Sequence, residues 1–310
     1  MRIVFFGSPA SALPSLRTLV ASDHEVVLVV SQPDRVAGRG RRETPCAVKA
    51  FALERGLPVF QPEKIRTDPA AVERLRAVRP DLNVVVAFGQ ILPAPVIYLP
   101  PHHSLNVHFS LLPRYRGASP VQWAILNGET ATGVTIFELD EKMDEGPILA
   151  RREVPIGPAE KSFELEARLA AVGADLLLET LGGLGRIRPR PQDHAQASLA
   201  RKLKKEDGRI DWNQDAAAVD RRVRALAGWP SAFAMFKGKR LIIHDGRPLA
   251  TTTAPGAAGE ILALSDEGIA VRCGGPTCYL ARRVQPENGR EMDAAAFARG
   301  HRVAAGAAFV

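Results

Sequence analysis

The chain has 310 residues, 46% hydrophobic and 24% charged, with 41 Lys and Arg against 34 Asp and Glu for a formal charge of +7. That length exceeds one typical core of about 100 to 200 residues and predicts two domains, and no apolar run approaches the roughly 18 residues a membrane span needs. Three cysteines cannot build a disulfide framework, so the composition excludes the disulfide-stapled class and leaves an ordinary globular protein whose basic excess suits a polyanionic partner.

In chain order, "MRIVFFGSPAS" comes first. Its apolar run, Ile3 to Phe6, is shorter than the roughly 7 to 15 residues at the heart of a signal peptide, so it reads as a first strand and the protein as cytoplasmic. A helix is predicted over Ala10 to Ala21, a second strand over Glu25 to Ser31, a helix over Ala70 to Val78 and a third strand over Leu82 to Phe88. Strands alternating with helices predict βαβ units and a mostly parallel sheet, with strands apolar on both faces because helices cover both sides. The turn "FGSPAS" matches neither the dinucleotide nor the P-loop glycine pattern and reads as a tight strand-to-helix turn. Ligands of such sheets bind at the carboxyl ends of strands, which singles out "AFGQILP" and "NVHFSLLP". Between the second and third strands, "PDRVAGRGRRETP" sets Arg35, Arg39, Arg41 and Arg42 among glycines; by composition alone it is a charged surface loop.

The stretch "SLNVHFSLLPRYRGASPVQ", Ser104 to Gln122, begins as a strand. A period of two puts Asn106 and His108 on one face and Val107 and Phe109 on the other. Alone, an N-x-H pair reads as a hydrogen-bonded strand end. Downstream, "GVTIFELDEKMDEGPIL" offers a strand over Val134 to Leu139 and then an acidic loop with Asp140, Glu141, Asp144 and Glu145. An amide, an imidazole and a carboxylate together suit acyl transfer without a covalent intermediate. Asn106 would donate to a developing oxyanion, and His108 would stabilise it or shuttle a proton. Asp144 would orient and charge His108 and accept a proton from an attacking amine, directly or through water. No Ser or Cys with a partnered base is evident, which argues against an acyl-enzyme.

From Arg186 to Lys205 the chain carries seven basic residues against one acid, Asp193, among prolines, which reads as a basic linker. Beyond it, short strands are predicted at Ala232 to Phe236, Arg240 to His244, Gly259 to Ala263, Gly268 to Arg272 and Cys278 to Val284. Five such strands in about a hundred residues predict an OB-fold-like β-barrel. Within it, "CGGPTC" reads as a hairpin with two free thiols rather than a zinc site, and Trp229 of "GWPSAF" as a packing residue.

The segments "NVHFSLLPRYRGASPVQWAI", "TGVTIFELDEKMDEGPIL", "SQPDRVAGRGRRETPCAVKAFALERGLPVFQP", "VVVAFGQILP", "KEDGRIDW" and "RVRALAGWPSAF" together resemble the methionyl-tRNA formyltransferase family, in family order and over nearly the whole chain. The resemblance implies formyl transfer from 10-formyltetrahydrofolate, with no metal, to the α-amine of methionine on initiator tRNA. It implies an α/β formyltransferase fold with a Rossmann-like sheet at 1–187, a basic linker at 188–206 and a C-terminal barrel that binds tRNA at 207–310, in a monomer. Asn106, His108 and Asp144 match the family's catalytic trio. Ser110, Leu111, Leu112 and Pro113 match its folate-binding segment, and Phe88, Gly89, Ile91 and Leu92 the wall that receives the pterin. Arg35, Arg39, Arg41 and Arg42 match the insertion that enters the acceptor end, and Lys202, Lys204 and Lys205 extend the basic track. The chain departs from the common pattern at "GSPAS", where an acidic residue usually follows the proline, and at Glu145, where a small residue is common. Two rivals remain: a formyltransferase acting on an amino-sugar nucleotide, and a non-catalytic RNA-binding protein.

Overall fold

The computed structural model describes residues 1–37, 42–249 and 256–310. These fall into two compact units: residues 1–120, 131–155 and 166–201 form the first, and residues 121–130, 156–165 and 202–310 the second.

The chain opens with β1 (Arg2–Gly7), α1 (Leu13–Val20) and β2 (Glu25–Val30), followed by a short antiparallel hairpin of β3 (Arg35–Ala37) and β4 (Arg42–Thr44). After it come α2 (Ala47–Glu54), β5 (Val59–Phe60), α3 (Pro69–Ala77), β6 (Leu82–Val86), α4 (Ala94–Ile97), β7 (Ser104–His108), α5 (Pro120–Leu126), β8 (Ala131–Glu138), β9 (Ile148–Pro155) and α6 (Ser162–Gly183). The seven strands of the first unit's sheet run in the order β5-β2-β1-β6-β7-β8-β9. Strands β5, β2, β1, β6 and β7 pair in parallel, β8 pairs antiparallel to β7, and β9 pairs antiparallel to β8. The sheet is therefore Rossmann-like and mostly parallel, and it changes sense at β7. Strands β1, β2 and β6 bury nearly every residue, as expected where helices cover both faces. Asp68 caps α3 by accepting from the amides of Ala70 and Ala71, with Pro69 at the first helical position, where its missing N–H costs nothing.

The second unit carries α7 (Ala216–Ala225), β10 (Phe233–Phe236), β11 (Lys239–Leu249), β12 (Ile261–Ser265), β13 (Gly268–Arg272), β14 (Cys278–Pro286), β15 (Met292–Asp293) and α8 (Ala294–Gly300). Its antiparallel sheet runs β10-β11-β14-β13-β12, with β15 on β14. The edge strands β10 and β12 do not pair with each other. The last residues of the chain bond to both: Val310 exchanges two hydrogen bonds with Met235, while Phe309 and Ala307 bond to Gly259 and Ile261. Phe309 packs into the core against Trp212 and Phe236. The sheet is therefore not closed into a barrel by strand pairing, and residues 307–310 bond to both of its edges.

Candidate active site

Because β1, β6 and β7 are parallel neighbours, their carboxyl ends lie side by side. The side chain of Gln32, just past β2, donates to the carbonyl of Phe88 at 3.0 Å, and Ser8, just past β1, donates to it at 3.4 Å. The Phe88 ring meets Phe6 edge-on, with centroids 5.4 Å apart. Ala87 and Gly89 take left-handed backbone (φ +47° and +82°) to make the turn. Phe88 and Leu92 are buried, whereas Ile91 stays 61% exposed. The loop therefore has a fixed backbone with Ile91 at its surface.

The Ser110–Pro113 segment is equally fixed. Thr135 on β8 donates to the carbonyl of Ser110 at 2.6 Å and accepts from the amide of Leu112 at 3.1 Å. The Ser110 hydroxyl donates to the carbonyl of Arg114 at 2.7 Å, and Arg151 donates to that of Leu112 at 3.0 Å.

Asn106 and His108 share a face of β7, where Asn106 pairs with Val85 and Phe137 and His108 with Thr135. His108 is buried and Asn106 half-buried. The Nε2 of His108 lies 3.0 Å from the carbonyl of Tyr115. A carbonyl can only accept, so Nε2 carries the hydrogen. Nδ1 then faces Oδ2 of Asp144 at 3.7 Å. That gap is too long for a direct hydrogen bond but lies within ion-pair distance should the imidazole be charged.

Asp144 is held by devices that the sequence does not display. Its backbone is left-handed (φ +54°), as are those of Tyr115 (φ +62°) and Gly117 (φ +116°). For non-glycine residues this costs on the order of 1 kcal/mol or more and persists only where neighbours enforce it. The Gly117 amide donates to Asp144 Oδ2 at 2.7 Å. A Cβ on Gly117 would stand 2.7 Å from the carbonyl oxygen of Ala200, and one on Gly146 would collide with that of Glu138.

Segment 198–200, linker-like by composition, bonds along the "RYRG" turn. Arg116 donates its amide to Ser198 at 2.8 Å and accepts from Ala200 at 2.7 Å. The buried Arg116 guanidinium faces Glu145 at 3.4 Å, so the acidic residue that departs from the family pattern neutralises a buried charge. Arg116 also donates to Gln192 and to His194 Nδ1. Arg116, Gly117 and Gln192 were missed in the sequence; the only signal was a proline and arginine turn that core packing does not require.

Of the basic residues, Arg39 and Arg41 lie outside the described residues. Arg35 and Arg42 fall on β3 and β4, whose base is anchored by Asp34: Lys49 donates to it, and Gln61 donates to it at 2.9 Å. The Lys49 hydrogen bond, helped by Gln61, holds the Asp34 carboxyl below the usual carboxylate range. In the second unit, Lys202, Lys204 and Lys205 are exposed around the buried Leu203. Trp229, expected to pack, is 54% exposed, because it sits in the turn between α7 and β10 rather than under the sheet. Burial pushes the Cys273 thiol up to about 12.

Residues 1–181 match the model of the formyl transferase family, and residues 202–302 that of the formyl transferase C-terminal domain. A methionyl-tRNA formyltransferase of Solibacter usitatus is 48% identical, covering 98% of this chain and 96% of its own. Among solved structures, HypX from Aquifex aeolicus in complex with tetrahydrofolic acid has a TM-score of 0.63 at 22% identity, over 96% of this chain and 47% of that longer one. An N-formyltransferase from Helicobacter canadensis, in complex with folinic acid and dTDP-3-aminofucose, has a TM-score of 0.67 at 15% identity over 93% of this chain and 100% of that one. At those identities the two structures share the fold.

Proposed function

Because this chain belongs to the methionyl-tRNA formyltransferase family, we infer that it transfers the formyl group of 10-formyltetrahydrofolate to the α-amine of the methionyl group on initiator tRNA. The observation that carries the assignment of chemistry is the pairing of His108 Nδ1 with Asp144 Oδ2 on the face shared with Asn106.

The folate supplies an activated formyl group, and the residues suited to hold it are Phe88, Gly89, Ile91 and Leu92 on one side and Ser110, Leu111, Leu112 and Pro113 on the other. Asn106 donates its amide hydrogen to the formyl oxygen as the methionyl amine attacks the formyl carbon and negative charge collects there. With Nε2–H committed to Tyr115, Nδ1 of His108 takes the proton leaving the amine, and the Asp144 carboxylate stabilises the imidazolium that results. The proton passes to N10 of the folate as its bond to the formyl carbon breaks, so the products are formylmethionyl-tRNA and tetrahydrofolate.

For the acceptor, Arg35, Arg39, Arg41 and Arg42 suit the phosphates of the tRNA acceptor end, and Lys202, Lys204 and Lys205 extend the track. The division of labour is catalysis in residues 1–187 and RNA binding in 207–310, with residues 188–201 of the basic 188–206 segment belonging to the first compact unit. The protein acts as a cytoplasmic monomer. Among the described residues no helix is long and apolar enough to cross a membrane.

The test is competition among acceptors. Incubated with 10-formyltetrahydrofolate, charged initiator tRNA, elongator methionyl-tRNA and an amino-sugar nucleotide, the enzyme should formylate the initiator preferentially. Formyl on the sugar amine alone would establish the amino-sugar reading, and tRNA binding without any transfer would establish a non-catalytic RNA-binding protein.

A further inference from the structure

The strongest side-chain clamp near the trio comes from a part of the chain with no composition of a catalytic element. We propose that Gln192 is a positioning residue for formyl transfer, fixing Asp144 through its main chain; this rests on the trio reading above.

Gln192 is 5% exposed, and its amide is fully used. Nε2 donates to the carbonyl of Asp144 at 2.9 Å and to that of Gly146 at 2.8 Å. Oε1 accepts from Arg116 twice, from Nε at 3.1 Å and from Nη2 at 2.8 Å. Two donors and two accepting lone pairs are what a primary amide possesses. No ionised carboxylate can make this set, because it would turn acceptors toward the two carbonyls.

The geometry ties both ends of the Asp144 carboxylate's support to one side chain. Bonds to the carbonyls of residues 144 and 146 bracket Glu145 and hold the turn in which Asp144 is left-handed. On its other side Gln192 grips Arg116, whose neighbour Gly117 supplies the amide that orients Asp144 Oδ2. Releasing Gln192 therefore frees the backbone under Asp144 and the turn that aims its carboxylate. The expected result is a shift of Oδ2 relative to His108 Nδ1, and a misplacement of ~1 Å at a reacting centre costs on the order of 10²-fold in rate.

A purely structural glutamine would lower stability without acting through Asp144, so the test is a cycle. Gln192→Glu keeps the shape and an acceptor for Arg116 but loses both donor hydrogens; Gln192→Leu removes the amide altogether. Each is made in the full-length wild-type chain and with Asp144→Asn, and kcat, both KM values and Tm are measured. The proposal expects kcat to fall about 10- to 100-fold on the wild-type background, with both KM values within about threefold. On the Asp144→Asn background it expects less than about threefold further loss, because the carboxylate to be positioned is gone. If Gln192→Leu does not fold, Gln192→Glu carries the test alone. Equal fold-losses on both backgrounds, or an unchanged kcat for Gln192→Glu beside a crippled Asp144→Asn, overturn the positioning role. Wild-type kcat for Asp144→Asn overturns the trio reading instead, and this proposal with it.

Discussion

His108 gives its Nε2 hydrogen to the main-chain carbonyl of Tyr115, 3.0 Å away, and so turns Nδ1 toward Asp144. The same contact links structure and chemistry in one ring, and the two separate on substitution. His108→Gln can still donate to the Tyr115 carbonyl but has no basic nitrogen. His108→Ala removes that hydrogen bond, which contributes about 0.5 to 1.5 kcal/mol. Thermal melts should place His108→Gln near wild type and His108→Ala below it, while both lose at least ~10²-fold in kcat. Full activity in His108→Gln would remove the proton-transfer role.

Gly146 follows the acidic pair because the backbone of Glu138 passes where a Cβ would stand. Gly146→Ala must push the 144–146 turn away from β8. Its kcat should fall at least tenfold with binding of tRNA close to normal, and its unfolding free energy should drop by roughly 1 kcal/mol or more. Kinetics and denaturant melts check both.

The anchor beneath the arginine hairpin is pH-dependent. The folded state lowers the Asp34 carboxyl pKa through its Lys49 hydrogen bond first and Gln61 second. A lowered folded pKa contributes stability that is present above the unfolded value of about 3.9 and is lost as pH falls through the folded one. Asp34→Asn should therefore lower Tm at pH 7, with the difference from wild type shrinking below about pH 4. A difference that grows on acidification would contradict the assignment.

Lys202, Lys204 and Lys205 are exposed in the second unit. If they meet phosphates, replacing all three with Gln should weaken tRNA binding and shrink the slope of log affinity against log salt by up to about three units, with turnover at saturating tRNA unchanged. An unchanged slope in a binding titration over salt would place the RNA elsewhere.

The core strands and the shared face of Asn106 and His108 were more legible in the sequence than the contacts that hold Asp144. Strands β1, β2 and β6 announce themselves as continuous apolar runs, and the period of two along β7 puts Asn106 and His108 together without any structure. Strand β9, "ILARREVP", passed unassigned because an edge strand exposes much of its surface and breaks the apolar run. Gln192 and Arg116 were invisible because their contact joins positions 76 apart, and their segment looks like a linker. Its prolines and arginines describe its surface, whereas its function in the fold comes from hydrogen bonds made by Gln192, Ser198 and Ala200.

On the function proposed, Asn106, His108 and Asp144 carry formyl transfer to the methionyl amine. The most direct measurement is single-turnover formylation of initiator methionyl-tRNA from 10-formyltetrahydrofolate by Asn106→Ala, His108→Ala, Asp144→Ala and the triple variant, beside their tRNA affinities. Each single variant should lose at least ~10²-fold in rate with affinity near wild type, and the losses should be far from additive because the three act as a unit. A triple variant that keeps a tenth of the wild-type rate would contradict the account.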